Sequence, residues 1–408
     1  MKKPAILALV LAGGAGGRLE QLTDTRAKPV VPYAGVYRLI DFPLSNCLHS
    51  GISDVWIIEQ FHPQSLNDHV SNGRPWDLDR THGGMKVLHP HLGGSGSGWH
   101  QGNADAIYRN RAVISEFAPD VLLVLSADHV YELDYSKVID YHAEQRADVT
   151  MVTTKVVGDD PGRFGIVQTD DDGHITDYQY KPESPSGDIA TTEIFVFDAA
   201  KLMDELDRIA GEKESGDDDE EPALDDLGEE LLPALVKEGS AFDYRLEGYW
   251  RDVGTIDSYW RSHIDLVAPD RGLNMDNPSW PILTLAPQRP PAHIYPSSRN
   301  ENSLVSPGCT VRGNVISSVL GPGVLVDEGA TVRNSILLHD SVVESGATVD
   351  TAIIDMGARI GKEARVGGST EGSDPADVSA ESIAVVGAGA IVGRGATVSP
   401  GGRIDPAD

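Results

Sequence analysis

The stretch that decides the fold is LVLAGGAGGRLEQLTDTRAKPVVP, which covers Leu9–Pro32. The apolar run Ile6–Ala12 enters it and predicts a short strand buried on both faces. Four glycines follow within residues 13–17, and they allow a sharp turn and a close approach of the backbone to a ligand. Backbone N–H groups in such a turn bind anions, and Arg18 and Lys28 add positive charge. The stretch therefore predicts a strand followed by a phosphate-handling loop.

The glycine pattern by itself leaves a tight strand-to-helix turn and a nucleotide-binding loop as alternatives. The loop is not of the Walker A type, because no Gly-Lys-Ser or Gly-Lys-Thr follows it. It does not fit G-x-G-x-x-G, because Leu19 stands where the third glycine is required. We expect a phosphate-handling loop of another class.

Length and charge limit the possible functions. The chain has 408 residues, enough for two domains, and its net charge is −30. That charge argues against a nucleic acid partner, since a phosphate backbone would be repelled. Two cysteines, Cys47 and Cys309, make no disulfide framework. No stretch approaches the roughly 20 apolar residues of a membrane span, so we expect no membrane contact and a soluble, cytoplasmic protein.

The first part of the chain, residues 1–268, has the pattern of an α/β domain. Apolar, β-branched runs such as DVWIIEQF, DVLLVLSADHV, DVTMVTTKV and TTEIFVFD predict strands. The segments 104–117 and 135–145 between them are long enough for helices. This alternation predicts a mostly parallel, Rossmann-like sheet with helices on both faces. Ligands bind at the carboxyl ends of strands in such sheets, where the glycine loop and SADHV both fall.

A second domain is predicted over residues 301–408, after a Pro- and Asn-rich linker at 269–300. Apolar residues recur six apart in it, most clearly at Val386, Val392, Val398 and Ile404. Val326, Val343 and Ile360 recur at seventeen, close to three hexads per coil. The pattern predicts a parallel β-helix and disfavours the alternative, a β-sandwich. Residues 369–382 interrupt the pattern as an exposed loop, and the acidic run 212–221 is expected to be a solvated loop.

Six motifs in order carry a family resemblance. They are LAGGAGGRL, RAKPVVPYAGVYRLIDFPLSNCLHSGI, WHQGNADAIYRN, SADHVYELDY, YKP and GYWRDVGTIDSYW. Together they resemble the sugar-1-phosphate nucleotidyltransferases over nearly the whole chain, and PLSNC and GYWRDVGT are similar to the glucose-1-phosphate adenylyltransferase branch. The resemblance implies a left-handed β-helix and the transfer of an adenylyl group from ATP to α-D-glucose 1-phosphate for α-glucan synthesis. It also implies a homotetramer under allosteric control.

The resemblance also implies roles for the charged residues. The sugar phosphate is already an anion, so the reaction needs cations more than a general base. Arg18 and Lys28 match residues that stabilise the leaving pyrophosphate, and Asp128 matches the catalytic aspartate. Asp128 and Asp252 would hold Mg²⁺, which prefers carboxylate ligands. The simpler alternatives are a helix N-cap for Asp128 and a surface ion pair with Arg251 for Asp252.

The binding residues follow in the same way, each with a simpler alternative. The nucleotide would be held by Leu11, Ala12, Gly13, Gly14 and Gly16, and its base and ribose by Gln101, Gly102, Asn103 and Asp105. The latter four also fit an N-capped helix start. The sugar phosphate would meet Lys181, Thr191, Glu193, Asp226 and Trp250. Lys181 also fits a solvated surface lysine, and Trp250 a core residue.

The chain departs from the family pattern in the predicted sugar pocket. Tyr180 stands where the family has the glutamate of Glu-Lys-Pro, and Thr191-Thr192-Glu193 replaces Ser-Met-Gly. Three alternatives to the glucose 1-phosphate reaction are open: another sugar 1-phosphate or nucleotide, a silent regulatory subunit, or an acyltransferase on the β-helix. The intact charged motifs disfavour the second. The third is disfavoured because His339 is the only histidine after His293.

Overall fold

The computed structural model describes residues 4–14, 16–90, 99–157, 159–213, 223–268, 272–370, 372 and 374–407. These form two compact units that do not follow the order of the chain. The first unit contains Met1–Gly14, Phe42–Ala127 and Tyr131–Trp250, and the second contains Ala15–Asp41, Asp128–Val130 and Arg251–Asp408. Most of the predicted acidic run 212–221, namely its residues 214–221, lies outside the described residues.

The strands of the first 255 residues are short and mostly apolar. In chain order they are β1 Ile6–Ala12, β2 Pro32–Tyr33, β3 Tyr37–Arg38, β4 Asp54–Glu59, β5 Gly84–Leu88, β6 Val121–Ser126, β7 His129–Tyr131, β8 Val149–Lys155, β9 Gly165–Thr169, β10 Ile175–Tyr180, β11 Ile189–Asp198, β12 Ala241–Arg245 and β13 Trp250–Asp252. The α-helices are α1 Asp41–His49, α2 Pro63–Val70, α3 Asn103–Arg109, α4 Arg111–Phe117, α5 Tyr135–Gln145, α6 Ala199–Lys213, α7 Leu231–Glu238 and α8 Ile256–Val267.

A Rossmann-like mixed sheet organises the first unit. Among the described residues it has nine strands in the order β10-β9-β11-β6-β1-β4-β5, with β8 beside β11 and β12 beside β8. The β6-β1-β4-β5 half is parallel, as predicted. In the other half β11 runs antiparallel to β6 and β8, and β9 and β10 pair antiparallel. The turn between β9 and β10 is too short for the crossover that parallel strands require. The core of this sheet buries Leu7, Leu9 and Phe197 fully.

A parallel β-helix forms most of the second unit. Its first sheet contains β14 His293–Ile294, β17 Thr310–Val311, β20 Leu325–Val326, β23 Val342–Val343, β26 Arg359–Ile360 and β29 Ile391–Val392. Its second contains β15 Asn300–Glu301, β18 Asn314–Ile316, β21 Thr331–Arg333, β24 Thr348–Asp350, β27 Arg365–Gly367 and β30 Thr397–Val398. Its third contains β16 Leu304–Val305, β19 Val319–Leu320, β22 Ile336–Leu337, β25 Ala352–Ile354, β28 Ala384–Val386 and β31 Arg403–Ile404.

The predicted periodicity sets the register of this β-helix. Val326 pairs with Val343, and Val343 pairs with Ile360, so residues seventeen apart stack in the core. The geometry is that of the left-handed hexapeptide fold. The first strand begins at His293, inside the predicted linker and before the predicted start at 301. Its two residues are exposed and terminal coils are atypical, so the apolar hexad signal is missing there.

The segment 15–41 belongs to the same unit as the β-helix. It contains two short 3-10 helices, Gly17–Thr23 and Lys28–Val30, and the β2–β3 hairpin. Tyr259 of α8 donates its hydroxyl to the Pro32 carbonyl, and Nε2 of His263 accepts the Ala34 N–H at 3.1 Å. Burial lowers the pKa of His263 to about 4, which keeps the ring neutral and able to accept. These contacts fix the hairpin on α8.

No helix within the described ranges has both the length and the apolar character required to cross a bilayer.

Candidate active site

Charged side chains of the second unit converge around Asp128. Asp128 follows β6 by two residues, and its Oδ2 forms an ion pair with Nζ of Lys28. Nε2 of the buried His129 lies 3.8 Å from Oδ1 of Asp128 and 3.8 Å from Oδ1 of Asp252. Pairing of β13 with β7 brings the two aspartates to this place. The two predicted metal ligands, Asp128 and Asp252, therefore lie in one cluster with Lys28, which is predicted to be catalytic.

Gly254 lies within contact distance of the charged groups of this cluster. A Cβ there would lie 2.8 Å from Oδ1 of Asp252, 3.1 Å from Nζ of Lys28 and 3.3 Å from Nη2 of Arg18. The absence of a side chain at Gly254 thus lets two cations and a carboxylate approach the backbone closely. Arg18 is exposed, whereas Lys28 is nearly buried.

Lys28 remains an ammonium group despite its burial. Burial alone would lower its pKa, but Asp128 and Asp252 outweigh that effect, and the pKa of Lys28 is raised. Arg18 opposes them only weakly. The cluster therefore holds a permanent positive charge beside two carboxylates, and oxygen ligands of this kind suit a hard divalent cation.

The glycine loop follows β1 as the sequence predicts. Leu11 and Ala12 end the strand, and the Ala127 N–H donates to the Leu11 carbonyl. A Cβ on Gly14 would meet no atom of the described residues within 4 Å, so the backbone there has room for a ligand. Gly16 has a φ of +73°, and a Cβ on it would lie 2.8 Å from the Thr23 side chain. Only glycine fits that position easily.

A second loop precedes α3 in the first unit. Gly102 packs on the backbone of residue 225, where a Cβ would come within 2.3 Å of the carbonyl. Asn103 donates its N–H to Oδ1 of Asp226 at 3.1 Å, and its own Oδ1 accepts the Leu227 N–H at 2.5 Å. The structure thus joins a predicted nucleotide-binding loop to a predicted sugar-binding aspartate.

Asp105, on α3, has protein partners for both of its carboxylate oxygens. Its side chain is fully buried, and its oxygens accept from the Gln101 N–H at 3.0 Å, from Arg109 Nε at 2.8 Å and from the Leu224 N–H. This is the simpler alternative of an ordered helix start. The contact of Asp105 with base or ribose stays a prediction, and Gln101 at the start of the same loop is exposed.

The predicted sugar residues gather around β10 and its following turn. Nζ of Lys181 donates to the Tyr180 hydroxyl at 2.6 Å, and that hydroxyl donates to Oδ2 of Asp226 at 2.5 Å. Lys181 and Asp226 themselves lie 3.9 Å apart. Burial, then Asp226, then Glu193 and Tyr178 raise the pKa of Tyr180, so its phenol stays protonated. The tyrosine links the lysine to the aspartate in a chain of hydrogen bonds.

The other predicted sugar-binding residues differ in how exposed their side chains are to solvent. Thr191 is buried at the side of Gly165, and Trp250 is half-buried in an edge-to-face contact with Phe164. Glu193 is exposed on β11. Thr191 is therefore a buried side chain, and Trp250 lies between core and surface.

Sequence reasoning missed two residues that shape these loops. Gln60 follows β4, and its amide bonds both the N–H and the carbonyl of His100, at 2.6 and 3.1 Å. Tyr178 lies with Tyr180 against Gly228, where a Cβ would come within 2.2 Å of the Tyr180 ring. The position of Gln60 at a strand's carboxyl end was the available signal. Tyr178 gives none, because alternation alone does not distinguish it from a packing residue.

Comparison with known proteins supports the same family. The nucleotidyl transferase family matches residues 7–268, and the family described as "GlmU-like, C-terminal hexapeptide" matches residues 290–399. A glucose-1-phosphate adenylyltransferase of Acetivibrio thermocellus is 39% identical over 90% of this chain and 84% of its own length. Proteins of that name from Bacillus thuringiensis and Bacillus anthracis are each 40% identical, over 86% of this chain and 92% of theirs. The chain belongs to the glucose-1-phosphate adenylyltransferase family of nucleotidyl transferases.

Proposed function

We propose that this protein transfers an adenylyl group from ATP to a hexose 1-phosphate, with α-D-glucose 1-phosphate the substrate that the family membership supports. The products are the ADP-sugar and pyrophosphate. The observation that carries the proposal is the cluster of Arg18, Lys28, Asp128 and Asp252 at Gly254. A catalytically silent subunit would not need these four charged groups in one cluster.

The chemistry follows from the charges of the reactants. A phosphate oxygen of the sugar attacks the α-phosphorus in line, and the bond from that phosphorus to the pyrophosphate oxygen breaks. The nucleophile is an anion, so no side chain has to remove a proton. Lys28 keeps its charge in the buried cluster and is held in place by Asp128. The exposed Arg18 would stabilise the negative charge that develops on the leaving pyrophosphate.

Nucleotidyltransferases generally use a divalent metal ion, and Mg²⁺ is the ion we propose. Asp128 and Asp252 would hold it, because each has a carboxylate oxygen 3.8 Å from the same His129 nitrogen. When bound, the ion would neutralise phosphate charge. The glycine loop and Gln101 would bind the nucleotide, and Lys181 with Asp226 would bind the sugar phosphate.

Pyrophosphate release tests the function. ATP, UTP, dTTP, GTP and CTP are each offered with several hexose 1-phosphates, with and without Mg²⁺. We expect the highest kcat/KM with ATP, and no release after chelation of the metal. Release that is absent with every pair, or highest with a nucleotide other than ATP, contradicts the proposal.

Lys181→Ala tests the sugar-phosphate site. We expect the KM for the sugar phosphate to rise roughly 10- to 100-fold, because a charge-assisted hydrogen bond contributes about 1.5–3 kcal/mol. The KM for ATP should change little. Lys201→Ala removes an exposed lysine on α6 and serves as the control. If the KM for ATP rises instead, Lys181 does not hold the sugar phosphate.

A further inference from the structure

Glu20 interrupts the 3-10 helix Gly17–Thr23 with a backbone conformation that an L-residue rarely adopts. Its φ is +49° and its ψ is −130°, which lie outside the helical range. Glycine tolerates such angles, but a glutamate keeps them only where its surroundings hold it there. Glu20 lies two residues after Arg18, which the proposed function places at the leaving pyrophosphate. The contacts that hold Glu20 therefore also act on the turn that carries Arg18.

Arg403, on β31, holds the side chain of Glu20. Nε of Arg403 donates to Oε2 of Glu20, and Nη2 donates to Oε1 at 3.4 Å, so the guanidinium binds both carboxylate oxygens. Both side chains are partly buried, and salt and water screen such a pair less than a fully exposed one. The pair joins the last strand of the third β-helix sheet to the turn after the glycine loop.

The guanidinium of Arg403 is also fixed from the side of the β-helix. Nη1 donates to the carbonyls of Ile383 at 2.6 Å and Gly401 at 2.9 Å, and Nη2 donates to the carbonyl of Ala380 at 3.2 Å. Together with the two bonds to Glu20, these bonds use all five N–H donors of the guanidinium. Arg403 thus has one well-defined orientation, unlike the arginine of a mobile surface ion pair.

Further hydrogen bonds close the segment that contains Arg18. The Thr23 hydroxyl donates to the Gly16 carbonyl at 3.0 Å and to the Glu20 carbonyl at 3.1 Å. Beside Glu20, the side-chain amide of Gln21 donates to Oδ1 of Asp405 at 3.3 Å. The turn is therefore closed on itself and attached to the β-helix through two consecutive residues.

We infer that Arg403 is a positioning residue for Arg18: it fixes Glu20, and Glu20 fixes the turn from which the Arg18 side chain extends. The Arg18 side chain is exposed, so its direction depends on the turn that carries it. The inference rests on the proposed nucleotidyl transfer, in which Arg18 stabilises the leaving pyrophosphate. Displacing a group at the reaction centre by about 1 Å can lower a rate on the order of 100-fold.

Coupling to Arg18 is the property that tests this inference. Arg403→Ala and Glu20→Ala are each expected to lower kcat for pyrophosphate release roughly 10- to 100-fold, and the double variant should fall no further, because the two residues act as one unit. The KM for the sugar phosphate should change little, since Arg18 acts on the leaving group. In an Arg18→Ala background, Arg403→Ala should have no further effect on kcat, because the group that it positions is absent.

Three other variants separate positioning from stability. Glu20→Gly removes the carboxylate but suits the backbone angles, so kcat should fall although unfolding requires at least as much urea as in the wild type. Arg403→Lys keeps the charge but has three donors in place of the five-donor fork, so its kcat should lie between those of Arg403→Ala and the wild type. Arg394→Ala is the matched control, because Arg394 pairs with Glu363 at 3.2 Å on an exposed part of the same β-helix, and kcat should not change.

Three results would overturn the inference and leave the proposed function intact. The first is an equal fold loss of kcat from Arg403→Ala in the wild-type and Arg18→Ala backgrounds, because Arg403 would then act independently of Arg18. The second is a loss of stability with unchanged kcat in Arg403→Ala and Glu20→Ala, which is a purely structural role. The third is a wild-type kcat in Arg18→Ala. A wild type that releases no pyrophosphate with any nucleotide overturns the proposed function, and the inference with it.

Discussion

Asp128→Asn is expected to reduce kcat about 100- to 1,000-fold while leaving the fold intact. Losing one preorganised electrostatic group at a reacting phosphate typically has an effect of this size. Two consequences of the substitution act together. The site loses a charged oxygen ligand for the proposed Mg²⁺, and Lys28 loses the carboxylate that pairs with it and raises its pKa. Asparagine has nearly the same shape, so packing around Asp128 should persist.

The measurement is steady-state pyrophosphate release over a range of Mg²⁺ concentrations, together with thermal unfolding. Excess Mg²⁺ should not restore the rate, because the lost charge also positions Lys28. Asp140→Asn, an exposed aspartate on α5, controls for the loss of one negative charge. Retention of more than about a tenth of the wild-type rate, with normal unfolding, would show that Asp128 is not central to the reaction.

The sequence was most informative where one physical rule acts along a continuous segment. The six-residue spacing of apolar residues predicts the β-helix, because each inward position has to be filled in every coil. Val326, Val343 and Ile360 accordingly stack in register. The parallel half of the first sheet follows from the same kind of local pattern. The antiparallel direction of β11 could not be predicted from such a pattern, because it depends on pairing partners that are distant in the chain.

The composition of the two units could not be read from the chain order. Residues 15–41 precede most of the sheet, yet they belong with the β-helix. The cause is a set of contacts across more than 300 positions, such as that of Arg26 with Asp355. In the site, motif matching identified the charged residues but not how exposed their side chains are. Asp105 matches the motif and is buried. Burial depends on what packs above a residue, which no local pattern states.

The Arg26–Asp355 pair explains how the β-helix supports the segment that carries Lys28. Nη1 and Nη2 of Arg26 donate to the two oxygens of Asp355 at 2.8 and 3.0 Å, and the side chains are 9% and 0% exposed. Asp355 follows β25, and Arg26 lies two residues before Lys28. His339 adds no positive charge near this pair, because burial, then Arg38, Arg289 and Arg26, lower its pKa to about 3. The pair is thus a buried, bidentate link.

Asp355→Asn is therefore expected to destabilise the second unit by about 3–5 kcal/mol, since it leaves the Arg26 guanidinium buried without its counter-charge. Unfolding in urea measures this, and kcat should fall as Lys28 loses its support. Asp340→Asn is the matched control, because Asp340 pairs with Arg289 at 2.6 Å on an exposed part of the same β-helix, where a pair contributes about 0–1 kcal/mol.

The double change Arg26→Met with Asp355→Leu removes both charges. It should restore most of the stability, because apolar packing replaces the ion pair, but it should not restore kcat, because the directional hydrogen bonds that position the segment are lost. Equal, small losses in Asp355→Asn and Asp340→Asn would mean that the buried pair does not hold the segment, and a double variant with full activity would remove the positioning role.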